Sequence, residues 1–288
     1  MQRTRRLAPF VIAALFLTIG CGIAPAPAQD AARPGQEYTP QVGQEGKDVI
    51  WVPTPMSLIE RMLEMAKATP KDILYDLGSG DGRTVIAAAK RGIQAVGIEY
   101  NPDMVALSER AAAKEGVSGK AKFIHGDIFQ TDFSQATVLT LYLLPSLNVK
   151  LRPTILDMKP GTRVVSHAFT MDDWQADRTD SSEGRTAYLW IVPAKVEGTW
   201  QAGSGEIAFT QKYQMVSGTL RSGANNAAIT DGKLNGTQIT FTAGGARYSG
   251  RVTGDRIEGT VQASAGGTTK WSATRAPAVA TQKPAAHN

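Results

Sequence analysis

The residues of this chain best placed to do chemistry are Asp76, Leu77, Gly78, Ser79, Gly80, Asp81 and Gly82. They follow the apolar run Ile73-Leu74-Tyr75 and precede a helix-compatible stretch from Arg83 to Arg91. A strand that breaks into glycines and re-forms as a helix N-terminus is where α/β folds hold a nucleotide. Glycine supplies positive φ in the turn and lets a ligand approach the backbone without a Cβ in the way. A dinucleotide fingerprint wants glycines at its first, third and sixth positions. Counting from Gly78, the sixth is Arg83 and the third glycine, Gly82, falls at the fifth, which disfavours an NAD-dependent oxidoreductase. Two more acids stand in matching places. Ala95-Val96-Gly97-Ile98 ends in Glu99, 23 residues after Asp76, and Lys122-Phe123-Ile124-His125 leads through Gly126 to Asp127 and Ile128. Three strand ends thus deliver carboxylates to one edge of a parallel sheet, the crevice where open α/β folds bind ligands.

The surrounding pattern supplies that sheet. Helix signals at Ser57 to Ala68, Thr84 to Arg91, Pro102 to Glu115 and Ser146 to Met158 alternate with strands at Ile73 to Leu77, Ala95 to Glu99, Ala121 to His125, Thr137 to Leu143 and Arg163 to Ala168. A final pair, Trp174 to Thr179 and Thr186 to Val192, makes seven strands. Alternation of this kind predicts an α/β, Rossmann-like, doubly wound sheet. After Pro193 the texture changes to short β-prone runs broken by Gly, Asn and Ser. The stretch from Gly232 to Thr242 is echoed by the stretch from Gly250 to Thr260, 18 residues on. A repeated strand-turn-strand unit predicts a small antiparallel barrel or sandwich, with Trp200 and Trp271 as core plugs. The expected organisation is a signal peptide over 1–28, a disordered linker over 29–46, the α/β domain over 47–194, a β-rich domain over 195–276 and a disordered tail over 277–288.

The segments DILYDLGSGDGRTVIAAAKRG, AVGIEYNPDMVALS, TLYLLPSLNVKLRP and GTRVVSHAF resemble class I S-adenosylmethionine (SAM) methyltransferases. Among these the chain looks most like the seven-strand protein lysine methyltransferases that act on the ATP-synthase c-subunit. The resemblance covers residues 49 to 193, roughly half the chain, and it implies SAM as cofactor. It places Asp76, Gly78 and Gly80 at the methionine end of SAM, with Ser79 of the same turn also cofactor-binding, Glu99 on the ribose hydroxyls, Asp127 on the adenine amino group and Ile128 on the adenine face, flanked by Tyr100 and Asn101. Tyr142, after strand four, stands where the methyl group would be, either to orient the acceptor or as a core tyrosine. His167, after strand five, is a candidate base or a hydrogen-bonded structural residue. Trp51, Pro53 and Pro55 read as a stiff flap over the cofactor, because a residue preceding proline is held extended. The implied acceptor is a protein lysine or a small molecule.

The rest of the chain widens the choice. Arg3, Arg5 and Arg6 precede the uncharged stretch Leu7 to Ile19 and then Ala26-Pro27-Ala28, which predicts export with cleavage after Ala28. Cys21 sits in an imperfect bacterial lipoprotein box, so a lipid anchor is the other reading. A single cysteine leaves no intramolecular disulfide and no thiolate metal site. Residues 29–194 carry 18 basic and 21 acidic side chains, and 195–288 carry 10 and 5. With no basic cluster interleaved with aromatics, nucleic-acid binding is not expected. The basic C-terminal region suits an anionic periplasmic or membrane surface. An exported protein meets no evident SAM supply, so a second reading keeps the SAM fold as a binding module whose β domain engages an envelope partner.

Overall fold

The computed structural model describes residues 38–277. The expected signal peptide with Cys21, the linker up to residue 37 and all but the first residue of the expected tail lie outside the described residues.

A seven-stranded sheet carries the first half. Its strands are β1 (Ile73–Leu77), β2 (Gln94–Glu99), β3 (Ala121–His125), β4 (Val138–Leu141), β5 (Arg163–His167), β6 (Arg178–Ser182) and β7 (Arg185–Ile191), in the order β3-β2-β1-β4-β5-β7-β6. The first five run parallel, and β7 pairs antiparallel with β5. Helices α1 (Met56–Met65), α2 (Arg83–Lys90) and α3 (Pro102–Lys114) pack on one face through Leu58, Ile59, Leu63, Val85, Ala88 and Ala112. On the other face α4 (Pro145–Leu156) buries Leu151 and Ile155 against Leu77, Leu139, Val164 and Trp190. The strand order reverses between β1 and β4, and the sheet opens there at its carboxyl edge.

Two boundaries differ from the sequence reading. The sixth strand begins at Arg178, not Trp174: Trp174 forms an isolated bridge with Met171, and its indole is fully buried. Its Nε1 donates to Gln214 Oε1 at 2.9 Å, so burial of a large aromatic, and not strand pairing, accounts for its apolar signal. Residues 38–46, read as the end of a disordered linker, are folded back. Gly43 N donates to Trp51 O, Trp51 N donates to Gln44 O, and Glu45 bridges Ile50. A polar composition hides a segment ordered by backbone pairing.

The second half is a closed eight-stranded antiparallel barrel, not a sandwich. Its strands are β8 (Gly198–Ala202), β9 (Gly205–Lys212), β10 (Met215–Ser222), β11 (Asn225–Asn235), β12 (Gln238–Ala243), β13 (Ala246–Thr253), β14 (Arg256–Gln262) and β15 (Thr268–Arg275). The internal echo is two successive hairpins, β11–β12 and β13–β14, whose two-residue turns begin at Gly236 (φ 57°) and Gly254 (φ 55°). Positive φ at the first turn position is what makes glycine recur there. Trp200, Ile207, Phe209, Leu234, Ile239 and Phe241 fill the interior. Trp271 is only half-buried, so of the two expected plugs Trp200 alone is fully enclosed. The closing seam is thin in strand pairing: β15 meets β8 at Thr274↔Gln201 and Arg275↔Trp200, Ala276 N donates to Thr199 O at 2.8 Å, and the Arg275 guanidinium lies over Trp200 while donating to Glu197 O and Lys195 O.

The two halves are joined closely. Tyr213 stacks on Trp174 with ring centroids 5.8 Å apart, Gln214 Nε2 donates to Gln175 O, and Ala194 N donates to Gly236 O.

Candidate functional site

The glycine turn after β1 forms because no other residue fits it. Gly78, Gly80 and Gly82 all have positive φ. A Cβ on Gly82 would lie 2.7 Å from Phe123 and Ser108, and one on Gly80 would lie 2.6 Å from the Trp51 indole nitrogen. Gly82 therefore lets α2 start flush against the sheet, and Gly80 lets Trp51 lie on the turn.

Around this turn lies a cavity of about 580 Å³, within the range of small-molecule sites. It brings together Asp76, Gly78, Ser79, Gly80, Glu99, Tyr100, Asn101, Asp127, Ile128 and Tyr142. Residues 44–54 cross one side of it as a strap. His167 does not line it: the ring is buried beneath Tyr142, with centroids 3.8 Å apart and planes 29° from parallel. Burial, helped by the charge of Arg185, lowers its pKa to about 4, so the imidazole is neutral at pH 7. Tyr142 and Thr54, which both line the cavity, stand against the ring.

Each acid is held differently. Glu99 accepts from two backbone amides, Gly80 N to Oε2 and Asn101 N to Oε1, both at 2.9 Å. Those bonds fix the carboxylate and leave a second lone pair on each oxygen for a ligand's hydroxyls. Asp127 accepts from Phe129 N at Oδ1 and from Lys47 Nζ at Oδ2, at 2.9 and 2.7 Å. The Lys47 bond lowers its pKa, with help from the Phe129 amide. Asn101 caps α3 by accepting from Asp103 N, and its neighbour Tyr100 lies half-exposed with the Lys47 ammonium 5.0 Å from its ring centre.

Asp76 is the outlier. It is buried, its Oδ1 accepts from Thr140 Oγ1 at 2.6 Å across the β1–β4 register, and it forms no ion pair among the described residues. Burial pushes its pKa up to about 7 against the pull of the Thr140 and Thr84 hydroxyls, with Glu99 and Asp81 adding repulsion. A buried carboxylate without a cation is costly. The buried Ser79 hydroxyl also has no partner. Both features fit SAM, whose methionine end brings an ammonium and a sulfonium.

Lys47, Thr54, Thr140 and Phe169 also shape the site and were not found from the sequence. Thr140 could have been found, since parallel register sets it opposite Asp76, and Thr54 stands out between two prolines. Lys47 carries no local signal, because its partner is 80 residues away.

The ANTKMT methyltransferase domain matches residues 76–178. A protein-lysine N-methyltransferase of Saccharolobus islandicus is 42% identical over 151 residues, covering 50% of this chain and 94% of that protein. The ATP-synthase c-subunit lysine N-methyltransferase of Rattus norvegicus is 36% identical over 145 residues, covering 50% of this chain and 67% of the rat protein. The crystal structure of an RNA methyltransferase from Salinibacter ruber in complex with S-adenosyl-L-homocysteine is 50% identical, with a TM-score of 0.49, and covers 50% of this chain and 96% of that one. With this fold and this cavity, the chain belongs to the SAM-dependent methyltransferases, in the family of the archaeal protein-lysine N-methyltransferase and the ANTKMT methyltransferase domain. The barrel lies beyond the matched domain.

Proposed function

We propose that this chain moves the methyl group of SAM to the ε-amino group of a lysine in a protein. The observation that carries the proposal is the mixed lining of one cavity: the carboxylates of Asp76, Glu99 and Asp127 come together there with the largely apolar surface of Tyr142, Leu143, Leu144 and Phe169. The relatives named above as protein-lysine methyltransferases support the choice of acceptor. In this reading Glu99 takes the ribose hydroxyls, Asp127 the adenine amino group, Ile128 the adenine face, and Asp76 with Gly78, Ser79 and Gly80 the methionine end.

SAM when bound supplies an activated methyl on a sulfonium, so the protein has to align an amine with it and exclude water. Tyr142, wedged between His167 and Phe169, sets the wall against which the amine lies. An ammonium entering an apolar slot loses hydration, which lowers its pKa and favours the neutral nucleophile. With His167 shielded beneath Tyr142, this desolvation takes the part of a dedicated imidazole base.

The decisive experiment incubates the purified chain and methyl-labelled SAM with a cell extract, followed by mass spectrometry of the labelled fraction. Methylated lysine in a protein is the expected product. Label confined to nucleic acid or to small molecules defeats the proposal.

The setting is a second part of the reading. The basic, apolar and Ala-Pro-Ala order of residues 1–28 supports export to a bacterial periplasm, and the basic excess after residue 195 supports contact with an anionic envelope surface. Fractionation with mass spectrometry of the mature N-terminus tests it. A periplasmic chain starting at Gln29 or a lipidated Cys21 agrees, and an intact Met1 in the cytosol does not.

A further inference from the structure

We infer that His167 is a positioning residue, which clamps the strap over the cavity through Thr54 while backing the Tyr142 ring that walls the methyl-transfer end. His167 Nδ1 lies 3.1 Å from the buried Thr54 hydroxyl. On its other side is the stacked Tyr142, itself flanked by Phe169 at a centroid distance of 6.1 Å. One ring at the end of β5 therefore touches both the strap and the Tyr142 wall of the site.

The strap is built to transmit that contact. Val52 and Thr54 each precede a proline, so both are restricted to extended conformations, and Pro55 itself is extended at φ −60° and ψ 146°. A rod of this kind, fixed at Thr54, carries Trp51 to its place on Gly80. Arg83 Nη1 adds a second tie by donating to Thr54 O at 3.2 Å. At the far end the strap is held by Lys47, through its exposed pair with Asp127 and its place over the Tyr100 ring. Exposed pairs contribute little, so the buried tie at Thr54 decides whether the strap stays down. The groups facing His167 are Thr54 of the strap, Tyr142 after β4 and Arg185 of β7; none is an acid, and a neutral ring is the form that suits them.

The consequence for the cofactor rests on the reading of this cavity as the SAM site, and the experiment separates the two. In the full chain, amide hydrogen exchange of residues 41–54 is followed without ligand, and S-adenosylhomocysteine affinity is measured by calorimetry. Thr54→Val and His167→Phe are each expected to speed strap exchange about five- to tenfold and to weaken S-adenosylhomocysteine by a similar factor, the loss of one buried hydrogen bond. The double variant should be no worse than either single one, and Thr54→Ser should restore both readouts. Unchanged strap exchange in Thr54→Val overturns the clamp, and because that variant keeps the side-chain shape it decides the matter even if His167→Phe does not fold. If the unaltered chain fails to bind S-adenosylhomocysteine, the cofactor reading falls, while the exchange data still judge the clamp.

Discussion

The α/β half leaves its sheet open at the carboxyl edge and gathers there what a folded protein ordinarily avoids: a buried acid without a cation, an unpartnered serine hydroxyl and three glycines at positive φ. The barrel closes its sheet on itself and fills the inside with Trp200, Phe209 and Phe241. Both halves are β-rich, so the difference lies in where the strands end. Parallel strands joined through helices end side by side and can aim carboxylates at one point. Antiparallel hairpins return each strand at once, and their inward residues meet one another. The candidate site therefore lies at one sheet edge, and the barrel meets the α/β half at a joint around Trp174.

The largest expected effect comes from breaking that joint. Trp174→Ala removes a fully buried indole, its bond to Gln214 and its stack on Tyr213, and is expected to cost about 3 to 5 kcal/mol of stability by denaturant unfolding. A loss under about 1 kcal/mol would mean that the two halves are independent. A chain ending at Ala194 sharpens the same point: it should keep the sheet by circular dichroism and still bind S-adenosylhomocysteine, but unfold at a lower temperature.

The next effect is the pH response of Asp76. Its folded pKa of about 7 lies above the ordinary carboxylate value of 3.8, so the folded state binds the extra proton. Stability should therefore fall as pH rises from about 4 to 7 and level off above, by up to about 4 kcal/mol if no relaxation intervenes. Asp76→Asn should flatten that slope. A cationic ligand reverses the preference, so SAM should bind more tightly at pH 8 than at pH 6 with release of a proton, measurable by calorimetry in two buffers. Equal affinity at the two pH values would remove Asp76 from the methionine end.

Glu99→Ala deletes a carboxylate already aimed by two backbone amides and should weaken SAM by about 1.5 to 3 kcal/mol, with the fold retained. Unchanged calorimetric affinity would sink the ribose assignment. The smallest effect belongs to Lys195 and Asp157, an exposed ion pair linking the halves: Lys195→Ala should change stability by less than about 0.5 kcal/mol, and a larger loss would mean that the joint is electrostatic.

What could be read in the sequence divides along the same line. The carboxylates of Asp76, Glu99 and Asp127 and the glycines among them are local signals, each set by the end of its own strand. Closure of the barrel is not local, because alternating inward residues serve a sandwich as well as a barrel until the first strand finds the last. Trp174 misled for a related reason: an apolar residue in a β-prone stretch looks like a strand, and only the distant Tyr213 and Gln214 show that it is a buried joint. Of the strap, the end with Trp51, Pro53 and Pro55 was legible from its prolines, whereas the end near Lys47 was hidden by its Gln, Gly and Lys content, since backbone pairing and the Lys47–Asp127 bond leave no local trace.

The thin seam between β15 and β8 bears on how the molecule forms. Every other barrel pairing joins strands adjacent in sequence, whereas this one must bring the first and last strands together across all the rest. Closing so long a loop carries an entropic penalty that a seam this short repays only once the strands on either side are in place, so the hairpins should assemble first and the seam shut last. Since β8 follows the α/β half directly in the chain, that half can tether it as the other strands form, and the kinetics of barrel closure become a property of the whole chain.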